Sequence, residues 1–98
     1  MAFIQIIEMR TSKFGELQAL GDEWEQATAG QRTARRRVLC RDRDDPGHYY
    51  NIVFFDSYES AMENSSLPGT QALSEKMAGL LEGAPGFVDL EVVEDRSL

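Results

Sequence analysis

The chain has 98 residues, which is the length of a single domain with one hydrophobic core. Its formal charge of −7 at pH 7 argues against nucleic-acid binding and against an anionic membrane surface, because both need a positively charged face. Apolar residues make up 42% of the chain and charged residues 28%, which is typical of a soluble globular protein.

The chain lacks the usual sequence features of a secreted, membrane or metal-binding protein. The apolar run from Met1 to Ile7 is interrupted by Gln5 and is too short to span a bilayer, so we expect a cytoplasmic protein. Cys40 is the only cysteine and His48 the only histidine, so a multi-cysteine metal site or an intramolecular disulfide cannot form. We favour a simply buried Cys40 by roughly nine to one. No metal and no cofactor are expected.

The first predicted elements are a strand and a long helix. Residues 2–10, AFIQIIEMR, carry mainly apolar side chains on both faces of the predicted strand. Thr11 or Ser12 is then expected to cap a helix over about 13–29, and Gly30 to end it. The inner side chains of this helix recur at helical spacing: Phe14, Leu17, Leu20, Trp24 and Ala27.

A basic second strand is predicted over residues 32–42, RTARRRVLCRD. The turn sequence Asp44-Asp45-Pro46-Gly47 predicts that this strand pairs with the next one in an antiparallel hairpin. Strand alternation divides the arginines between the two faces, so they are not expected to form one patch for an anionic ligand or RNA. We interpret them as charges that discourage stray pairing at a sheet edge, or as partners in salt bridges between subunits: Arg35, Arg36, Arg37 and Arg41.

The central stretch of the chain, GHYYNIVFFDSYESAMENS from Gly47 to Ser65, predicts a strand that leads directly into a helix. Seven of the eight residues from His48 to Phe55 have aromatic, β-branched or imidazole side chains, which suits a buried pleated surface. The eighth is Asn51. Asp56 or Ser57 is expected to cap the helix, with Glu59 as the capping-box partner of Asp56.

The remaining elements complete a β-α-β-β-α-β order. Leu67-Pro68-Gly69 is expected to break the second helical segment, and Thr70 to cap a further helix that ends near Glu82. Residues 87–94 predict the last strand. This order predicts a ferredoxin-like α+β sandwich in one domain, residues 1–98, with an antiparallel sheet in the order four-one-three-two and helices on one face.

The predicted strands indicate a homodimer. Strand one has Ile4 and Ile6 on one side, and strand three has Ile52 and Phe54 on one side, while the opposite faces of both strands are also apolar. If one face were exposed to water, apolar and polar residues would alternate along each strand. We therefore expect two copies to pack their uncovered sheet faces together.

The end of the third strand reads Phe55-Asp56-Ser57-Tyr58-Glu59, and together with the topology this resembles the dimeric α/β-barrel superfamily, in particular the antibiotic-biosynthesis monooxygenases. Haem-degrading relatives carry a tryptophan at the strand end, an asparagine on strand one and a histidine on the helix. Here those positions hold Phe55, Gln5 and Asn64, so the resemblance argues against haem degradation. It implies cofactor-independent oxidation of a small aromatic or polyketide-like molecule.

The candidate catalytic residues are Asn51, Tyr49 and His48, and the candidate substrate-binding residues are Gln5, Trp24, Phe55 and Asn64. A carboxamide in an aromatic strand must be hydrogen-bonded or face a polar pocket, and a structural role for Asn51 is favoured by roughly two to one.

Asn51 and Gln5 could hold a carbonyl or hydroxyl group, with Asp89 or Glu91 beside them or in solvent. Trp24 is either core or a stacking surface. His48 is either an exposed turn residue or a general base that lacks a partner nearby in sequence. Tyr49 either packs in the core or donates to a substrate oxygen.

Three functions stay open at this point. The first is the oxygenase, the second is a non-catalytic ligand-binding or stress-response module, and the third is a dimer with a filled core that only binds a partner. A cavity of a few hundred Å³ near Asn51 would be expected for either of the first two functions.

Overall fold

The computed structural model describes residues 1–98 and confirms the ferredoxin-like α+β fold. In chain order its elements are β1 (Phe3–Arg10), α1 (Phe14–Ala27), β2 (Arg36–Arg41), β3 (His48–Phe55), α2 (Tyr58–Ser66), α3 (Pro68–Ala78) and β4 (Gly86–Glu91). The strands form one sheet in the order β2-β3-β1-β4, as predicted, and every neighbouring pair is antiparallel.

The helices cover one face of this sheet, and the core lies between them. One apolar cluster, Phe3, Val53, Phe55 and Ala61, fills one end of the layer. A second cluster, Met9, Leu17, Tyr49 and Met77, fills the other end. Asn51 is opposite Ile7 on β1 and opposite Leu39 on β2, and it therefore lies between the two clusters on the helix-covered face.

The start of the second strand was predicted wrongly. β2 begins at Arg36 and not at Arg32, because the preceding residues bond to the helices. The Thr33 amide donates to Asn64 Oδ1 over 3.3 Å, and its hydroxyl donates to the carbonyl of Ser60. Arg32 donates to the carbonyl of Glu25 at the end of α1. Residues 32–35 therefore form an irregular segment in which side chains need not alternate.

The start of α1 differs from prediction, whereas for α2 one of the two predicted caps is confirmed. α1 begins at Phe14 after Lys13, without a side-chain cap. The Thr11 hydroxyl accepts from the Lys13 amide and donates to the Leu80 carbonyl over 2.7 Å, so it joins two loops. In α2 the cap is Ser57, which accepts from the Ser60 amide over 3.0 Å, and this leaves no capping-box role for Glu59.

Pro68 begins α3 and does not merely interrupt the chain. It occupies the first turn, where a helix does not need the amide proton that proline lacks. Thr70 therefore lies inside the helix. The helix ends at Ala78, earlier than predicted, and the following segment bonds to β1 through the Glu82 amide and the Arg10 carbonyl at 2.7 Å.

The other face of the sheet carries an apolar surface that no element of the chain covers. It contains side chains from all four strands: Ile4, Ile6, Val38, Ile52, Phe54, Val88 and Leu90. Val88 and Leu90 are 44% and 42% exposed. We call this surface the open face. Separately, none of the helices has the length and apolar character needed to cross a bilayer.

Candidate functional site

A cavity of about 80 Å³ lies between the sheet and the helices, next to Asn51. Five of the seven predicted site residues line it: Asn51, Gln5, Trp24, Phe55 and Asn64. Its volume is smaller than the few hundred Å³ that an oxygenase or a ligand-binding module would be expected to have, and Leu73, Thr70 and Ser65 of the helices line it. We call this space the Asn51 cavity. It is partly open to solvent and receives about two or three water molecules or one edge of an aromatic ring, so the rest of a larger molecule would lie outside it.

Asn51 supplies the one buried side-chain polar atom of the chain without a hydrogen-bond partner. Its Oδ1 atom is inaccessible to solvent and accepts no hydrogen bond. Leaving such an atom unsatisfied costs about 1–3 kcal/mol, so buried amides are normally paired. Rotation of the carboxamide would present an N–H donor at the same place. Asn51 can therefore either accept from a hydroxyl group or donate to an oxyanion.

The other polar groups of the cavity already have partners within the chain. Gln5 Nε2 donates to Asp89 Oδ1 over 3.2 Å. Asp89 is one of the two neighbours, Asp89 or Glu91, that the sequence indicated. Asn64 is buried, and its Oδ1 accepts from the Thr33 amide. Trp24 Nε1 donates to Thr70 Oγ1 over 3.0 Å. Gln5 and Asn64 thus form fixed walls, and Trp24 offers its ring surface.

Arg37 lines the cavity and was not among the predicted site residues. It pairs with Val53 across the sheet, so it points toward the helices. Its guanidinium donates to Glu25 Oε1 over 3.0 and 3.2 Å and lies against Gly21 of α1. The sequence contained one signal that Arg37 faces the helices. Arg37 lies two residues before Leu39, which packs against the core, and the two residues therefore share a strand face.

Tyr49 points to the helix-covered face but does not line the Asn51 cavity. It is buried in the second cluster, where its ring stacks on Phe14 at a centroid distance of 4.8 Å. The structure therefore brings Tyr49 to the same layer as Asn51 but surrounds it with core side chains.

His48 lies on the opposite side of the sheet from Asn51. Its Nε2 atom is 2.6 Å from Glu8 Oε1, and its Nδ1 atom is 3.6 Å from Asp45 Oδ2. The expectation of an exposed turn residue without an orienting partner was wrong, because the strand pairing brings Glu8 and the turn carboxylates to the ring. The structure does not bring His48 and Asn51 of one chain together.

The groups around His48 form a small ionic cluster at one end of the open face. Arg10 donates to Asp45 over 2.8 Å and holds the pKa of the Asp45 carboxyl below its usual value. The His48 and Tyr50 ring centroids are 4.7 Å apart. Desolvation, and then the charge of Glu8, raise the pKa of the Tyr50 phenol, which keeps it protonated at neutral pH.

No family model matches the chain, and no curated protein matches it by sequence. Solved structures do match. SnoaB, a cofactor-independent oxygenase from Streptomyces nogalater, is 15% identical with a TM-score of 0.80, and the alignment covers 96% of this chain and 95% of SnoaB. The chain has the same ferredoxin-like α+β fold as this structure.

Two further structures carry this fold. Rv0793 from Mycobacterium tuberculosis is 17% identical with a TM-score of 0.81, covering 99% of this chain and 100% of Rv0793. A Caulobacter crescentus protein proposed as an antibiotic biosynthesis monooxygenase is 17% identical with a TM-score of 0.82, covering 95% of this chain and 91% of that one. At identities of 15–17% this similarity establishes the fold alone.

Proposed function

We propose that the chain is a cofactor-independent oxygenase for a small, electron-rich aromatic molecule that binds in the Asn51 cavity. The observation that carries the proposal is the unpartnered Asn51 Oδ1, since rotation of the carboxamide would bring this atom to the cavity that Asn51 lines, where a bound substrate would satisfy it. The ring of Trp24 and the side chain of Phe55 give the cavity flat apolar walls that suit an aromatic ring.

In the proposed reaction the substrate itself supplies the electrons. A methylene or ring carbon that is activated by a neighbouring phenol or ketone loses a proton to give a carbanion. Reaction with O₂ then converts CH₂ to C=O, with one oxygen atom retained and the other released as water. The chain would bind the substrate oxygen through Asn51 and hold the edge of the ring against Trp24.

The charge in the cavity favours a substrate that reacts as an anion. Arg37 is the one ionisable residue in the cavity lining, which contains no histidine, tyrosine or carboxylate that could act as a base. A positive guanidinium beside a phenolate or enolate stabilises the charged form. The substrate would therefore need an acidic proton that it loses without a strong base from the protein.

The absence of a base in the lining also favours the alternative function, a module that binds such a molecule without converting it. Oxygen uptake separates the two. Purified protein is supplied with anthrone, whose central methylene is activated in this way, and dissolved O₂ is followed with an electrode. The oxygenase should consume one O₂ per anthraquinone formed, and Asn51→Leu should lower the rate at least about tenfold. Binding of anthrone without O₂ uptake above the uncatalysed rate would support the alternative.

We also propose that the chain forms a homodimer through the open face. The support is physical: an uncovered apolar surface that extends over all four strands is larger than soluble monomers usually expose. The same face on a second copy is complementary in character, and a two-fold axis would bury both.

A further inference from the structure

A second cavity, of about 140 Å³, lies beside the Asn51 cavity and has an unusual lining. Four of the eight arginines of the chain line it, Arg32, Arg35, Arg36 and Arg37, although the chain as a whole carries a charge of −7. Trp24 and Arg37 line both cavities and separate them. We call this second space the arginine cleft.

The prediction that strand alternation divides the arginines between the two faces is correct for Arg36, but it leaves Arg35 and Arg37 on one face because they are two residues apart. The irregular segment before β2 brings Arg32, which was not part of that prediction, to the same side. Only Arg36 directs its guanidinium elsewhere, with its Cζ atom 5.3 Å from the Phe54 ring centroid on the open face. Three guanidinium groups therefore remain for the cleft.

The carboxylates nearby pair with two of these three groups, one of them being Glu25, which also lines the cleft, so Arg32 supplies the unpaired positive charge. Arg35 binds Asp56 Oδ2 over 2.7 and 3.0 Å and lowers the pKa of that carboxyl. Arg37 binds one oxygen of Glu25. Arg32 pairs with no carboxylate: it donates to the Glu25 backbone carbonyl over 2.7 Å, and its guanidinium lies 5.6 Å from the Trp24 ring centroid. A guanidinium has five N–H donors, so each arginine retains free donors.

We propose that the arginine cleft binds an oxyanion group, a carboxylate or phosphate, of the same molecule whose ring enters the Asn51 cavity. The planar fork of arginine matches both oxyanions. Because Trp24 and Arg37 form the wall between the two spaces, a molecule with a ring at one end and an acidic group at the other reaches both. This inference rests on the proposed function of the Asn51 cavity, and it narrows the substrate class to acidic aromatic molecules.

Calorimetric titration tests the inference with three single-ring probes. 4-Hydroxybenzoate carries a carboxylate, phenyl phosphate carries a phosphate, and methyl 4-hydroxybenzoate is the neutral counterpart of the first. Wild type is compared with Arg32→Gln and Arg37→Gln. The matched control is Arg43→Gln, which removes the same charge from an exposed position in the hairpin turn.

The wild type should bind at least one of the acids about tenfold more tightly than the ester. The acid with the lower Kd identifies the oxyanion. Arg32→Gln should remove most of this preference and leave the Kd of the ester nearly unchanged, whereas Arg37→Gln, which also alters the Asn51 cavity, should remove the preference and weaken the ester as well. Arg43→Gln should behave as wild type. The acid affinities should also fall as salt is raised, since part of the attraction is between charges.

Equal affinities for acid and ester, no binding of either acid at millimolar concentration, or an equal loss in Arg43→Gln would overturn the inference. The test is independent of turnover. Arginine-dependent acid binding without oxygen uptake would contradict only the oxygenase, whereas oxygen uptake that depends on Asn51 without any acid preference would contradict only the cleft.

Discussion

At the scale of single residues, two asparagines in one cavity have opposite roles, the half-buried Asn51 and the buried Asn64. Asn51 Oδ1 has no partner, whereas Asn64 Oδ1 accepts from the Thr33 amide and ties the segment before β2 to α2. The first side chain is available to a ligand, and the second maintains the wall of the cavity. A buried polar group without a partner lowers stability, which a binding function can account for.

This difference predicts opposite effects of the same substitution. Asn51→Leu should raise the free energy of unfolding by about 1 kcal/mol, because it removes an unsatisfied polar atom and fills the cavity edge. Asn64→Leu should lower it by about 1–2 kcal/mol, because it leaves the Thr33 amide without its acceptor. Thermal unfolding would show shifts of several degrees in opposite directions. A loss of stability in Asn51→Leu would indicate a structural role for Asn51.

Strand alternation explains which site residues the sequence could predict. Asn51, Val53 and Phe55 share a face because they are two residues apart, and the sequence grouped them correctly. The same rule puts His48 on the other face, one residue from Tyr49, although its contact with Glu8 depends on strand pairing that the sequence shows only indirectly. Arg37 was missed because charged residues at an edge strand usually face solvent.

At the scale of elements, α1 makes room for Arg37 through a glycine. A Cβ atom at Gly21 would lie 2.8 Å from a guanidinium nitrogen of Arg37, so the helix backbone and the arginine approach each other more closely than any other residue would allow. Glycine inside a helix costs stability relative to alanine. Glycine at this position is explained by the space that it leaves for Arg37 between the two cavities.

Replacement of this glycine should therefore separate stability from binding. Gly21→Ala should displace the flexible guanidinium and weaken 4-hydroxybenzoate binding several-fold, while the higher helix propensity adds up to about 1 kcal/mol to the unfolding free energy. Gly15→Ala is the matched control, since nothing lies within 4 Å of its added methyl group. It should stabilise the chain and leave the Kd unchanged. Unchanged binding in both variants would mean that the position of Arg37 is irrelevant to the ligand.

The segment of residues 32–35 marks the limit of element prediction from this sequence. Its composition, RTAR, is compatible with a strand. The Arg35 amide already donates to the Phe54 carbonyl of β3, and the residues before it are held out of the sheet by bonds of Thr33 to Asn64 and Ser60. Those partners are about thirty residues away in the chain. The hairpin that follows was predicted correctly, because the turn residues Asp45-Pro46-Gly47 act locally.

At the scale of the whole molecule, the open face is the basis of the proposed homodimer. The apolar side chains that follow β1, β3 and β4 on this face have no cover within the chain, and the ionic cluster of His48, Glu8, Asp45 and Arg10 forms one end of it. We expect the apolar centre to be buried between two copies and the ionic end to lie at the rim.

A charge at the centre of this face should produce monomers. Ile52→Glu, and Val88→Glu as a second variant at a more exposed position, should each shift the mass from dimer to monomer in native mass spectrometry, because a buried unpaired carboxylate is costly. Met62→Glu on α2 is the control and should leave the dimer intact. Circular dichroism confirms that each variant is folded. A monomeric wild type would contradict the proposed dimer.

The central claim is that the Asn51 cavity supports the transfer of an oxygen atom from O₂ to an aromatic substrate. Its most direct test is the mass spectrum of the product after turnover of anthrone under ¹⁸O₂ in H₂¹⁶O, with metal-depleted protein and no added cofactor. The account predicts that wild type forms anthraquinone with one ¹⁸O atom far faster than Asn51→Leu does. Formation at the same rate by both proteins, or no labelled product above the protein-free reaction, would contradict it.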